Sequence, residues 1–140
     1  MDFRFQRKER LKSEKTISLL FKKGQSFSCY PLRLVYMENT FSPKSDEPVA
    51  AADFSPIQFS LSVSKKNFKR AVDRNVLRRR TREAYRLHKH ELYAFLKNKD
   101  TLSEKKYAFM VIYTAKEILP YSEIEKGIRK MVSKFKIELK

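Results

Sequence analysis

The stretch KKNFKRAVDRNVLRRRTREAYRLHK, Lys65 to Lys89, holds 11 basic residues against two acidic ones. Placed on a helical wheel from Val72, it splits in two. Arg74, Arg78, Arg82, Asn75, Arg86 and Arg79 fall between about 200° and 340°, while Val72, Val76, Leu77, Ala84 and Leu87 fall between about 0° and 140°. Arginine occupies this arc to the exclusion of lysine. Its planar fork of five donors binds phosphates bidentately and stacks on bases, whereas lysine would serve solubility equally well. Asn75 is a poor helix former whose amide both donates and accepts, which suits a specific polar contact. A solvated face is the ordinary explanation of a charge run. Here Asp73 and Glu83 lie off the arc, so helix-stabilising i,i+4 pairs are not interleaved, and self-repulsion among the arginines calls for an external polyanion.

No catalytic constellation accompanies this face. His88 and His90 are the only histidines, and at i,i+2 on a helix they point roughly 200° apart, which prevents a shared metal or proton-transfer task. Asp73 and Glu83 stand about 15 Å apart along the same helix, too far for paired-carboxylate chemistry. Cys29 is the single cysteine and the chain has two glycines, so there is neither a CxxC pair nor a glycine-rich phosphate loop. Catalytic and metal-ligating residues are therefore expected to be absent.

The 140 residues carry a net charge of +16, yet 41% are hydrophobic, with 11 Phe and 7 Tyr. That composition describes a folded domain, spanning 1–140, rather than a disordered basic tail. Charge excess is concentrated at +5 in Met1 to Lys23 and +9 in Lys65 to Lys89. The longest apolar run, Tyr107 to Tyr113, is far short of the ~20 residues that span a bilayer. A lone cysteine suits a reducing compartment, so the cytoplasm is the expected location, without a membrane partner. The segment 38–58 is acidic and interrupted by Pro43, Pro48 and Pro56, which reads as an exposed insert.

The elements that must position the arginine face are legible from period and turn chemistry. Ser13 is placed to cap a first helix with Ile17, Leu20 and Phe21 on one stripe, and Gly24 to stop it in the left-handed conformation. Leu32 to Met37 alternates as a strand, with Leu32, Leu34 and Tyr36 on one face and Arg33, Val35 and Met37 on the other. Phe59 to Ser64 turns Phe59, Leu61 and Val63 inward and leaves Ser60, Ser62 and Ser64 as a low polar floor that a ligand could approach closely. Lys65 and Lys66 extend the positive surface beside it. YAFMVIY is apolar on both faces and reads as an interior strand. Ser122 and Glu125 suggest a capping box for a last helix striped by Ile124, Ile128, Met131, Phe135 and Leu139. Its mixed charges read as a solvated face.

The run RAVDRNVLRRRTRE, Arg70 to Glu83, after the strand FSLSVSKK, resembles the arginine–asparagine–arginine signature of the protein subunit of bacterial ribonuclease P. RKERLKSEKTISLLFKKG is similar to that family's N-terminal helix, and YAFMVIYTAKEILPYSEIEKGIRKMV to its last strand and helix. The resemblance implies an α+β fold, a small mixed β-sheet packed with helices through a left-handed βαβ crossover. It implies joining a catalytic RNA subunit and precursor tRNA, with no other protein partner, in the hydrolysis that removes the 5′ leader from tRNA. Chemistry would rest on Mg2+ held mainly by the RNA. Carried over by position, Arg70, Arg74, Asn75, Arg78, Arg79, Arg82 and Arg86 would face the RNA subunit. Ile17, Phe21, Tyr36, Ser62, Ser64, Lys65 and Lys66 would line the leader groove, with Val35 the alternative to Tyr36. Ile17 stands where the family often has an aromatic, and Phe68 where it often has glycine. Read from charge and size alone, a small basic ribosome-associated RNA-binding protein fits as well.

Overall fold

The computed structural model describes residues 10–11, 14–38, 57–98 and 107–139. Along the chain the elements are α1 (Glu14–Lys23), β1 (Gln25–Cys29), β2 (Leu32–Glu38), β3 (Ile57–Val63), α2 (Ala71–Asn98), β4 (Tyr107–Tyr113) and α3 (Tyr121–Glu138). The strands form one mixed sheet in the order β1-β2-β4-β3. β1 and β2 pair antiparallel, as do β2 and β4, whereas β3 and β4 are parallel. Parallel neighbours need a long connection, and α2 lies within the one between them. The α+β class is thus as expected.

Register decides what each face of the sheet does. Phe59 stands opposite Phe109 and Leu61 opposite Val111 across the parallel pair, while Tyr36 meets Phe109 and Leu34 meets Val111 across the antiparallel one. These residues form one core with the buried sides of α2 and α3. On the reverse face Val35, Ala108 and Met110 form a second cluster with Leu11 and Leu20 of the N-terminal part, and Ile17, Met37 and Ile112 pack on it. β4 is apolar throughout because helices cover both its faces.

Aromatic packing fixes the helices on the larger core. The Phe135 ring of α3 meets Phe109, Tyr36 and Tyr107 edge-on at centroid distances of 4.8, 5.2 and 5.5 Å. Tyr85 of α2 stacks on Phe59 at 4.1 Å, and Phe68, just ahead of α2, packs edge-on against Tyr113 at 5.7 Å. Where the resembled family often has glycine, this chain therefore has a core anchor.

Several local expectations are corrected. Gly24 does not have a positive φ; a Cβ there would collide with the Leu20 carbonyl oxygen and come within 2.9 Å of Val35 Cγ1, so close approach of α1 to β2 requires the glycine. Ser122 does not cap α3: the helix starts at Tyr121, with Pro120, two residues before the expected cap, as N-cap and no side-chain cap. Glu125 pairs with Arg129 instead. Val72 is 62% exposed, because burial on α2 follows Leu77, Thr81, Ala84, Tyr85, Lys89, Leu92 and Leu96. The first turn of α2 contributes no residue to either buried cluster. Glu38, Ile57 and Gln58 belong to strands. The rest of the expected insert, 39–56, and the expected cap Ser13 lie outside the described residues.

Candidate nucleic-acid interface

The arginine-bearing flank is helical and mostly open, but its members do different things. Arg78 and Arg82 reach the outer edge of β3, where Arg10 arrives from the N-terminal segment. The three arginines line a cleft of about 250 Å³ together with Leu11, Phe59, Ser60 and Leu61. Arg10 is placed there by a parallel bridge to Phe59, beside the 2.9 Å bond from the Leu11 N–H to the Phe59 carbonyl. Partial burial, and then the positive charges of Arg10 and Arg78, push the Arg82 guanidinium below the usual arginine range. Among the described residues no ion pair involves Arg70, Arg74, Arg78, Arg79 or Arg82. Like charges that converge without carboxylates on the α2 side make a site whose electrostatics improve when an anion enters.

The other members of the arc are placed as follows. Arg70, Asn75 and Arg79 are exposed. Arg74 Nη1 donates to the Phe68 carbonyl at 2.8 Å and the Lys69 carbonyl at 3.0 Å, so it braces the start of α2. Arg80, outside the arc, donates to the Leu119 carbonyl at 2.8 Å and ties α2 to the approach of α3. Arg86 departs from the expected open face: Nε and Nη2 engage both Glu83 oxygens, at 3.0 and 2.5 Å. One helical turn brings this acid back onto the arc's margin. The bond from Arg86 holds the Glu83 carboxyl below its ordinary range. The pair therefore exists above that range and is lost as pH falls through the depressed value. Glu83→Gln should take the carboxylate charge away from Arg86, tightening RNA binding severalfold and steepening its salt dependence, as a filter-binding titration over ionic strength would show. Unchanged affinity and slope would mean that Arg86 stays remote from the bound anion.

On the opposite face of the sheet α1 lies over β2 and β4, leaving the side chains of β3 beside it. Ser60 and Ser62 are half-buried there, in register with Met110 and Ile112. Phe21 on α1 is 58% exposed, an uncovered aromatic on the helix that packs over β2 and β4. Lys65 and Lys66 are exposed just past that strand. Of the expected groove residues, Tyr36 lies elsewhere, and Ile17 and Ser64 are engaged within the protein. Tyr36 lies on the far face: it is 4% exposed under α3, with its hydroxyl donating to the Glu138 carboxylate. Burial, and then that bond, push its pKa up. A one-residue change of register exchanges faces, and Val35 is the neighbour on the α1 side. Ile17 is half-buried, packed against the cluster of Val35, Ala108 and Met110. Ser64 turns its hydroxyl inward on the chain, accepting the Lys66 N–H at 3.1 Å and the Asn67 N–H at 3.3 Å.

Groups capable of covalent or acid–base chemistry are dispersed. Burial pushes the Cys29 thiol up to about 11, keeping it protonated. Among the described residues no three His, Cys, Asp or Glu side chains meet as a cation site. Those residues do not fit a magnesium ion. No described helix is long and apolar enough to cross a membrane.

Comparison with known proteins decides the family. The family model described as Ribonuclease P matches residues 5–136. The chain belongs to the ribonuclease P protein family. Among relatives of this family, the ribonuclease P protein component of Porphyromonas gingivalis is 35% identical over 128 residues, covering 91% of this chain and 83% of that protein. The component from Chlorobium phaeobacteroides is 39% identical over 85 residues, covering 61% of this chain and 53% of that protein. In fold the chain is similar to the ribonuclease P protein of Thermotoga maritima, with TM-score 0.62, 19% identity and coverage of 90% and 96% of the two chains. It is also similar to that of Staphylococcus aureus, with TM-score 0.60, 22% identity and coverage of 91% and 94%. Against the ribonuclease P signature residues, Arg10 and Ser60 are what sequence reasoning missed as cleft members. Ser60 was visible in the serine alternation; nothing local to Arg10 announces its partners on β3 and α2.

Proposed function

We propose that this chain acts as the protein component of ribonuclease P, a tRNA-processing enzyme, binding the enzyme's catalytic RNA through α2 and the 5′ leader of precursor tRNA through the α1 face. The observation that carries the reading is the convergence of Arg10, Arg78 and Arg82 on one cleft, where Arg78 and Arg82 have no carboxylate in ion-pair range among the described residues. Guanidinium forks on a rigid helix hold phosphates at fixed spacing, which positions an RNA without reading its sequence. Phe21 offers a stacking surface, and Ser60 and Ser62 offer hydroxyls on a floor low enough for a backbone to approach, the chemistry that suits single-stranded RNA.

In this reading the protein contributes binding, orientation and positive potential to an endonucleolytic hydrolysis. Magnesium, which in such reactions activates the attacking water and stabilises the leaving oxygen, is assigned to the RNA. The test is reconstitution with the cognate RNA, assaying 5′ processing of precursor tRNA at low magnesium with and without the protein. Processing that the protein leaves unchanged overturns the proposal. Phe21→Ala separates the leader contact from the rest: it should weaken precursor tRNA binding by about 1 kcal/mol, the scale of one stacked base, while leaving mature tRNA binding unaltered. Equal losses on both would remove Phe21 from the leader site.

A further inference from the structure

A second cationic surface lies at the opposite edge of the sheet. There α3 runs beside β1 and the turn into β2, enclosing an open cleft of about 480 Å³ lined by Ser28, Tyr30, Arg129, Lys130, Ser133 and Lys134, with Cys29 at its base. Sequence pattern made α3 a solvated face because its charges are mixed. The structure separates those charges. Lys126 pairs with Glu123, Arg129 with Glu125, and Lys136 with Glu91. Lys130 and Lys134 have no carboxylate in ion-pair range among the described residues. Lys134 is instead held over the cleft, donating to the Ser28 carbonyl at 3.1 Å and lying 5.5 Å from the centre of the Phe27 ring. Tyr30, at the tip of the β1–β2 turn, leaves 62% of its surface in solvent on the rim of the same cleft.

We infer that this cleft is a second RNA-binding site, taking a single-stranded segment with a base on Tyr30 and phosphates on Lys130 and Lys134. An exposed aromatic beside uncompensated cations and the hydroxyls of Ser28 and Ser133 presents the two contacts that an unpaired nucleotide offers, a ring face and an anion. Duplex RNA offers only the second, since its bases are already stacked on each other. β1 and β3 are the outer strands of four, so the two cationic sites are separated by about 14 Å or more at the usual strand spacing. One protein could then hold two strands of RNA apart. The inference rests on the reading that RNA is this protein's ligand, and adds a site which that reading does not use.

The chain contains no tryptophan, so Tyr30→Trp gives the full-length protein a single reporter at the site. Titration with a short oligouridylate should quench its emission saturably, and should still do so when Arg78→Ala and Arg82→Ala remove the α2 site. Adding Lys130→Ala and Lys134→Ala should weaken this binding about tenfold and lower the salt slope by roughly 0.7 for each phosphate no longer neutralised. Lys130→Glu, a single change at an exposed position, should weaken it at least as much, keeping the test informative if the double variant is poorly folded. Absence of quenching overturns the site, as does quenching indifferent to the lysine changes. Equal quenching by duplex RNA overturns the single-stranded assignment, and equal quenching by polyglutamate means that an acidic protein is the better partner. If reconstituted processing fails while the quench persists, the ribonuclease P reading falls and this site stands; the reverse pair of results removes this site alone.

Discussion

Arg78→Ala combined with Arg82→Ala should weaken assembly with the catalytic RNA on the order of a hundredfold at low salt. Each charge-assisted hydrogen bond to phosphate contributes about 1.5–3 kcal/mol, and about 1.4 kcal/mol is tenfold in affinity. The salt dependence should flatten by roughly one unit of log–log slope for each phosphate that the variant leaves unneutralised. These two arginines are singled out because they share a cleft with Arg10, whereas Arg74 is engaged with the carbonyls of Phe68 and Lys69. Lysine at both positions should restore most of the slope but only part of the affinity, since a point charge replaces the bidentate fork. A binding isotherm measured across ionic strengths checks both numbers. An alanine variant with unaltered slope would show that the RNA docks elsewhere.

Phe135→Ala should lower folding stability by about 3–5 kcal/mol, the usual cost of emptying a core site that held an aromatic ring. That is a large share of the roughly 5–15 kcal/mol by which a domain of this kind is stable. The ring is fully buried and packs edge-on against Tyr36, Tyr107 and Phe109, so its removal opens a void under α3 that the β-sheet cannot close by small shifts. The unfolding midpoint in urea should fall with little change in the slope, because the surface exposed on unfolding is nearly the same. A midpoint within experimental error of the wild type would mean that α3 does not seat on the sheet as described.

What the sequence made legible was whatever depends on period. YAFMVIY had to be interior because neither of its faces could be left wet. The alternation of Phe59, Leu61 and Val63 with serines fixed both the strand and its orientation, and Ile124, Ile128, Met131 and Phe135 drew the buried stripe of α3. What escaped depends on which neighbours an element meets. Tyr36 and Val35 differ by one position, and only the pairing of β2 with β4 shows which of them is roofed by α3. Arg86 looked unpaired because a wheel drawn to separate two classes of residue hid Glu83 at its margin. The wheel also assumed that the apolar residues of the first turn of α2 were core. Tyr85 and the buried Thr81, whose hydroxyl donates to the Leu77 carbonyl at 2.8 Å, mark the true inner line. Membership of Arg10 in the cleft could not be read locally, since its position is set by a backbone bridge to a residue far along the chain.

That bridge has a further effect on the molecule's behaviour in solution. An outer strand left bare offers its peptide groups as a template for another copy, a hazard that folded proteins suppress by covering or charging such margins. At Phe59 the chain's own Arg10–Leu11 segment occupies the position, and it delivers a cation there as well. Deleting residues up to Leu11 should therefore remove a cation of the cleft and a cover over the strand margin in the same stroke, so that colloidal solubility and RNA affinity should fall together.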